Sequence, residues 1–189
     1  MTKIEKEMQD YPSLIYDGPF SEHIEKMEPE MLKGKSEVTQ EQALEMVKYF
    51  IGEDRAKNTN LNGEGSGSIA TYLFVSAPDP KSDRQITTEV TKVEGLALWM
   101  LDNRYVENEN LSVEEAIKKG SDFLTSMGFM SMKESYYEKS NNVATINYAY
   151  TSNNIIMYSD LIKVKVALDN GEIVGFESRG YIMSHKARN

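Results

Sequence analysis

Cysteine is absent from the 189 residues. That excludes disulfide frameworks, thiolate zinc sites and a cysteine nucleophile, and it suits a protein exported across a bacterial membrane. Histidine occurs only at His23 and His185, near opposite ends of the chain. A histidine-built metal site or a serine–histidine pair would require distant parts of the chain to meet, so neither is expected. No apolar run reaches the roughly 18 residues that a membrane helix needs. The opening MTKIEKEMQD is charged and lacks the apolar core of a secretory signal. No G-x-S-x-G nucleophile elbow is present.

What remains is a chain with 40% hydrophobic and 27% charged residues, the composition of a soluble globular protein of one large or two small domains. Its net charge is −9. Such a surface repels phosphate backbones and anionic headgroups, which argues against nucleic acid or a membrane surface as partner and favours a basic one. The excess is largest in residues 37–107, with 12 acidic against 7 basic side chains.

Self-similarity is the strongest internal signal. VTQEQALEMVKYFIG, from Val38, matches LSVEEAIKKGSDFLTSMG, from Leu111: Thr39 with Ser112, Glu41 with Glu114, Ala43 with Ala116 and Phe50 with Phe123, at an offset of 73. TKVEGLALWMLDNRYV, from Thr91, matches ALDNGEIVGFESRGYI, from Ala167, at an offset of 76: Gly95 with Gly171, Leu98 with Val174, Met100 with Phe176 and Tyr105 with Tyr181. The three extra residues between the anchors are what surface loops tolerate. The organisation expected is residues 1–36 as an N-terminal strap, 37–107 as one repeat and 108–189 as a second.

Each repeat opens with a helix. Thr39 with Gln42, and Ser112 with Glu115, have capping-box spacing, and apolar residues then recur at helical period. Gly52 and Gly128 are expected stops. Segments rich in β-branched and aromatic residues follow: SIATYLFVS, RQITTEVTK and GLALWML, then MKESYYEK, VATINYAYT, LIKVKVALD and EIVGFES. Asp169-Asn170-Gly171 is a tight hairpin turn. The expected fold class is α+β, two tandem units of one helix on an antiparallel sheet of about four strands. Units of this size are marginal alone, so the two should share an interface.

Candidate chemistry is sparse. The glycine-rich Asn62–Ser68 lacks the Lys-Ser/Thr of a phosphate loop and leads into a strand, so it is expected to be a flexible loop. Asp79 and Asp83 are expected in a solvated hairpin loop. Cofactors and metals are not expected, and the residues point to an interaction protein rather than an enzyme. Positions 98/174 and 100/176 share strand parity and are expected to face the helices. Trp99, the only tryptophan, then points to the opposite face, as an interface anchor or as cover for the sheet or the junction between repeats. Tyr11–Ile24, YPSLIYDGPFSEHI, contains Pro12 and Pro19 and cannot be helical throughout. It is expected to dock on the first repeat as an extended strap through Leu14, Ile15, Tyr16 and Phe20.

The helix-and-strands unit closing in LDNGEIVGFESRGY resembles the PepSY domain. With YPSLIYDGPFSEHI ahead of two such units, and with GLALWMLDNR and SRGYIMSHKAR, the chain resembles the C-terminal region of the YpeB family of spore germination proteins. That resemblance implies a tandem-repeat, non-enzymatic module that stabilises and restrains a cortex-lytic hydrolase of the SleB type. It also implies a location outside the inner spore membrane, and a membrane anchor and helical region N-terminal to this stretch. Trp99, Tyr16 and Phe20 are the candidate partner-binding residues, and a homodimer is a further candidate assembly. Alternative readings are a propeptide-like protease inhibitor and a module that binds or acts on peptidoglycan.

Overall fold

The computed structural model describes residues 28–186. The segment Tyr11–Ile24, and with it Tyr16, Phe20 and His23, lies outside the described residues. After a single 3-10 turn, Glu30–Leu32, the helix α1 (Gln40–Ile51) leads to strands β1 (Asn60–Gly65), β2 (Thr71–Ser76), β3 (Ile86–Thr91) and β4 (Ala97–Asp102). Helix α2 (Val113–Ser126) leads to β5 (Met132–Ser140), β6 (Val143–Ser152), β7 (Ile155–Ala167) and β8 (Ile173–Glu177), and the short helix α3 (Arg179–Ser184) follows.

Both long helices start where their local chemistry dictates. The Thr39 and Ser112 hydroxyls accept from the backbone N–H groups of Gln42 and Glu115, whose side chains accept from the cap N–H in return. Gly52 and Gly128 take positive φ, +87° and +85°, and end the helices. Ala43 and Ala116, both without solvent exposure, bring the helices close to the sheet.

The strands form one antiparallel sheet in the order β1-β2-β3-β4-β8-β7-β6-β5, which with the helices makes an α+β architecture. The last strands of the two repeats pair with each other. Trp99 lies opposite Glu177, Met100 opposite Phe176 and Leu101 opposite Gly175. Since residue n of β4 corresponds to n+76 of β8, this pairing is related to itself by a local two-fold axis through Met100 and Phe176. One core runs beneath both helices, joining Val47 and Phe50 of α1, Leu124 of α2, Phe74, Ile86 and Met100 of the first strands, and Ile146, Ile162, Val164 and Phe176 of the later ones.

Four expectations are corrected. Leu98 and Val174 do not face the two long helices. Glu89 pairs with Trp99 and Val90 with Ala97, so Leu98 is an inserted bulge residue; Lys165 pairs with Gly175 and Val166 with Ile173, so Val174 is the same. A bulge breaks strict alternation. Leu98 packs with Leu32, Ile69, Ile182 and Met183, and Val174 with Val106 and Ala167. Second, Asn62–Gly65 belong to strand β1 rather than a flexible loop, because an edge strand needs only one hydrogen-bonding neighbour and little side-chain packing. Third, β7 starts at Ile155, extending the β6–β7 hairpin through a turn in which Asn153 and Asn154 take positive φ. Fourth, His185 is not in a polar tail. It follows α3, stacks on Tyr181 at 4.2 Å and places Nδ1 3.0 Å from the buried Asp160 carboxylate.

Candidate functional site on the open face of the sheet

The two long helices, α1 and α2, cover one face of the sheet. On the other face, the β4–β8 pairing aligns side chains into two rows across the central strands. One row runs Glu89, Trp99, Glu177, Lys163, Asn147. The next runs Thr87, Leu101, Gly175, Lys165, Thr145. Directly opposed residues share a face, so Trp99 stands at the junction of the repeats with charged groups on both sides. Its counterpart in the second repeat is Gly175, so the local symmetry leaves the second indole position empty. The stem of Lys165 lies there instead: a Cβ added to Gly175 would come within 2.7 Å of Lys165 Cδ.

Two shallow concavities meet at Trp99. One, of about 160 Å³, is lined by Trp99, Leu101, Lys163, Lys165, Gly175 and Glu177. The other, of about 280 Å³, is lined by Glu89, Leu98, Trp99, Glu177 and Arg179. Lys163 and Glu177 form an ion pair at 3.5 Å with both side chains nearly half exposed, an arrangement that contributes little to stability. Among the described residues, Glu89, Lys165 and Arg179 form no ion pair. Every strand here has a neighbour on both sides, so the backbone groups are used in the ladder. An occupant of this face would meet side chains: one indole, the partly exposed Leu101, and acids and bases able to donate and accept.

A second constellation, which the sequence reading did not single out, locks the two repeats at one end of the sheet. Asp102, whose side chain has no solvent exposure, accepts from Arg84 Nη2 at 2.7 Å and Arg55 Nη2 at 2.9 Å. Arg55 also donates to the Ile173 carbonyl, across the repeat boundary. Arg84 Nη2 lies 3.3 Å from Glu172. Arg104 donates through both terminal nitrogens to Asp169, at 2.7 and 2.9 Å. Its Nε, 2.9 Å from Glu172 but off the N–H direction, makes a charge contact rather than a hydrogen bond. Burial opposes ionisation of Asp102, but the Arg84 hydrogen bond, the Arg104 N–H and the charges of Arg84 and Arg55 outweigh it and hold the carboxyl below its usual range. The Arg104 hydrogen bond does the same for Asp169. Only three-dimensional pairing brings these six residues together, so neither spacing nor motif marks them.

Of the sequence-derived candidates, Trp99 lies on the open face, and Tyr16 and Phe20 lie outside the described residues. Among the described residues no three His, Asp or Glu side chains are placed to hold a metal ion, and no described helix is long and apolar enough to cross a membrane.

The family model described as YpeB sporulation, PepSY1 and PepSY2 domains matches residues 1–189. Sporulation protein YpeB of Halalkalibacterium halodurans is 27% identical over 168 residues, covering 89% of this chain and 37% of the relative. The Bacillus subtilis protein of the same name is 28% identical over 162 residues, covering 83% and 35%. The chain thus spans about a third of the length of the curated relatives it matches. Among solved structures, the Bacillus megaterium YpeB C-terminal domain matches with a TM-score of 0.73 at 22% identity, covering 81% of this chain and 68% of that one. At that identity the likeness speaks of the fold.

Proposed function

Since the chain belongs to the YpeB sporulation family, we propose that it is a non-enzymatic protein-interaction module that stabilises and restrains a spore cortex-lytic hydrolase of the SleB type. The parent protein is anchored in the inner spore membrane and holds this module on the outer side. The observation that carries the reading is the junction of the repeats, where a lone indole stands on a rigid, open sheet face. A large aromatic group ringed by polar side chains is the usual form of a binding hot spot, and the paired backbone beneath it holds it in place. Lys165, Arg179 and Glu89, which form no ion pair among the described residues, supply polar contacts around that anchor.

The test is direct binding of the purified chain to the cortex-lytic hydrolase by calorimetry, alongside hydrolase activity on isolated cortex. The expected result is a complex, slower cortex digestion, and at least tenfold weaker binding for Trp99→Ala, the factor that a loss of about 1.4 kcal/mol produces. A hot-spot tryptophan exceeds that threshold. An unchanged affinity in a folded Trp99→Ala variant removes the open face from the interface. Muropeptide release by the chain alone overturns the non-enzymatic reading.

A further inference from the structure

The sequence contains two Asn-Gly pairs, Asn62-Gly63 and Asn170-Gly171, and the fold treats them in opposite ways. We propose that Asn62 is a site of spontaneous deamidation in the folded protein, and that Asn170 is protected from the same reaction by the junction ion cluster. The inference is independent of the proposed partner.

The chemistry is intramolecular. The backbone nitrogen of Gly63 attacks the Asn62 side-chain carbonyl carbon, forming a C–N bond and a five-membered succinimide. The nitrogen gives up its proton, and the side-chain amide leaves as ammonia. Water then adds to either succinimide carbonyl and opens the ring, giving aspartate or its backbone-rerouted isomer, isoaspartate. Nothing is oxidised or reduced. The reaction needs a side chain free to turn onto its own backbone, and a following residue without a Cβ to obstruct the approach.

Asn62 meets both needs. It is exposed, and its amide makes no hydrogen bond among the described residues. It lies in β1, an outer strand of the sheet, where the register breaks between Leu61 and Gly63. A bulge residue at a sheet edge has the least constrained backbone a strand offers. Asn170 is also followed by glycine, but its side chain is not free to turn. Its Oδ1 accepts from Arg104 Nη2 and from the Glu172 N–H, both at 2.9 Å. Its Nδ2 lies 3.4 Å from Glu172 Oε2. The attacking atom is held as well, because the Gly171 N–H donates to the Ala167 carbonyl at 2.8 Å. Reaction at Asn170 therefore requires breaking several contacts, two of them to charged groups.

The consequence is local. Aspartate at position 62 adds negative charge two residues from Glu64, which pairs with Lys92. Isoaspartate adds a methylene to the backbone and displaces the β1 register.

Incubation of the folded chain at mildly alkaline pH, followed by peptide mapping with mass spectrometry and enzymatic isoaspartate labelling, tests this. Conversion at Asn62 is expected to be about ten- to hundred-fold faster than at Asn170, the ratio given by a barrier difference of roughly 1.4–2.7 kcal/mol. In denaturing urea the two rates should converge. Arg104→Ala should speed Asn170 alone. Equal rates at the two sites in the folded chain, or a ratio that persists in urea, overturns the proposal.

Discussion

Met100 and Phe176 face each other across the β4–β8 ladder, and each occupies in its own repeat the position the other occupies in its own. The Phe176 ring is packed edge-on against Phe50, at 4.9 Å between centroids, and Phe123, at 6.1 Å, and tilted against Phe129, at 5.9 Å. It therefore ties both long helices to the line where the repeats meet. Phe176→Ala should destabilise the protein by about 3–5 kcal/mol, read as a lower urea midpoint, with both repeats melting in a single transition. Two separate transitions would show that the repeats fold as independent units.

The junction ion cluster predicts an acid-sensitive stability. Asp102 and Asp169 have folded-state pKa values below the ordinary value of about 3.9. Their contribution is present in full above that unfolded value and is lost as pH falls through the lower folded value. The urea midpoint should be level from neutral pH down to about 5 and should drop below about 4. Asp102→Asn removes the acceptor charge facing Arg84 and Arg55. At neutral pH it should cost about 3–5 kcal/mol, as for one partner taken from a buried pair, and it should flatten the acid limb. A steep limb retained in that variant would assign the acid sensitivity to other carboxylates.

Gly120 reverses an ordinary rule. Glycine to alanine in a helix interior normally stabilises by about 1 kcal/mol. Here an added Cβ would run into the Tyr148 hydroxyl, which donates to the Ile117 carbonyl at 2.6 Å from a ring without solvent exposure. Gly120→Ala should instead destabilise by about 1–3 kcal/mol, as overpacking does. Adding Tyr148→Phe should recover part of that loss, a non-additivity that a double-mutant cycle measures.

The two capping boxes start different helices and share no residue. Thr39→Ala and Ser112→Ala should each cost about 1 kcal/mol and should add in the double variant. Chemical denaturation of the three proteins checks this, and strong non-additivity would mean that the helix starts are coupled.

These caps also show what the sequence makes legible. Thr39 and Gln42 meet because they are three residues apart, so spacing alone reveals the contact, and the two long helices and most strands are readable for the same local reason, whereas the short α3 is not. The bulges at Leu98 and Val174 were not, because alternation predicts parity only while pairing is unbroken. Strand β1 was hidden by its composition: Asn60–Gly65 contains two glycines and a single apolar residue, and its strand character comes from the hydrogen bonds β2 offers. The pairing of β4 with β8, and with it the setting of Trp99, depends on residues about 75 positions apart. No local rule reports that. The Arg55, Arg84 and Asp102 cluster was invisible for the same reason.

The self-matching register of β4 and β8 makes this chain, in effect, a homodimer whose two subunits have been covalently fused. A true homodimer built on that axis would carry two indoles and offer two identical docking surfaces. Here the axis is kept in the backbone and broken in the side chains, with Trp99 on one side and Gly175 on the other. The fusion turns a surface that would read the same after a half turn into one with a single orientation. A partner seated on it meets one anchor, in one direction, once per chain.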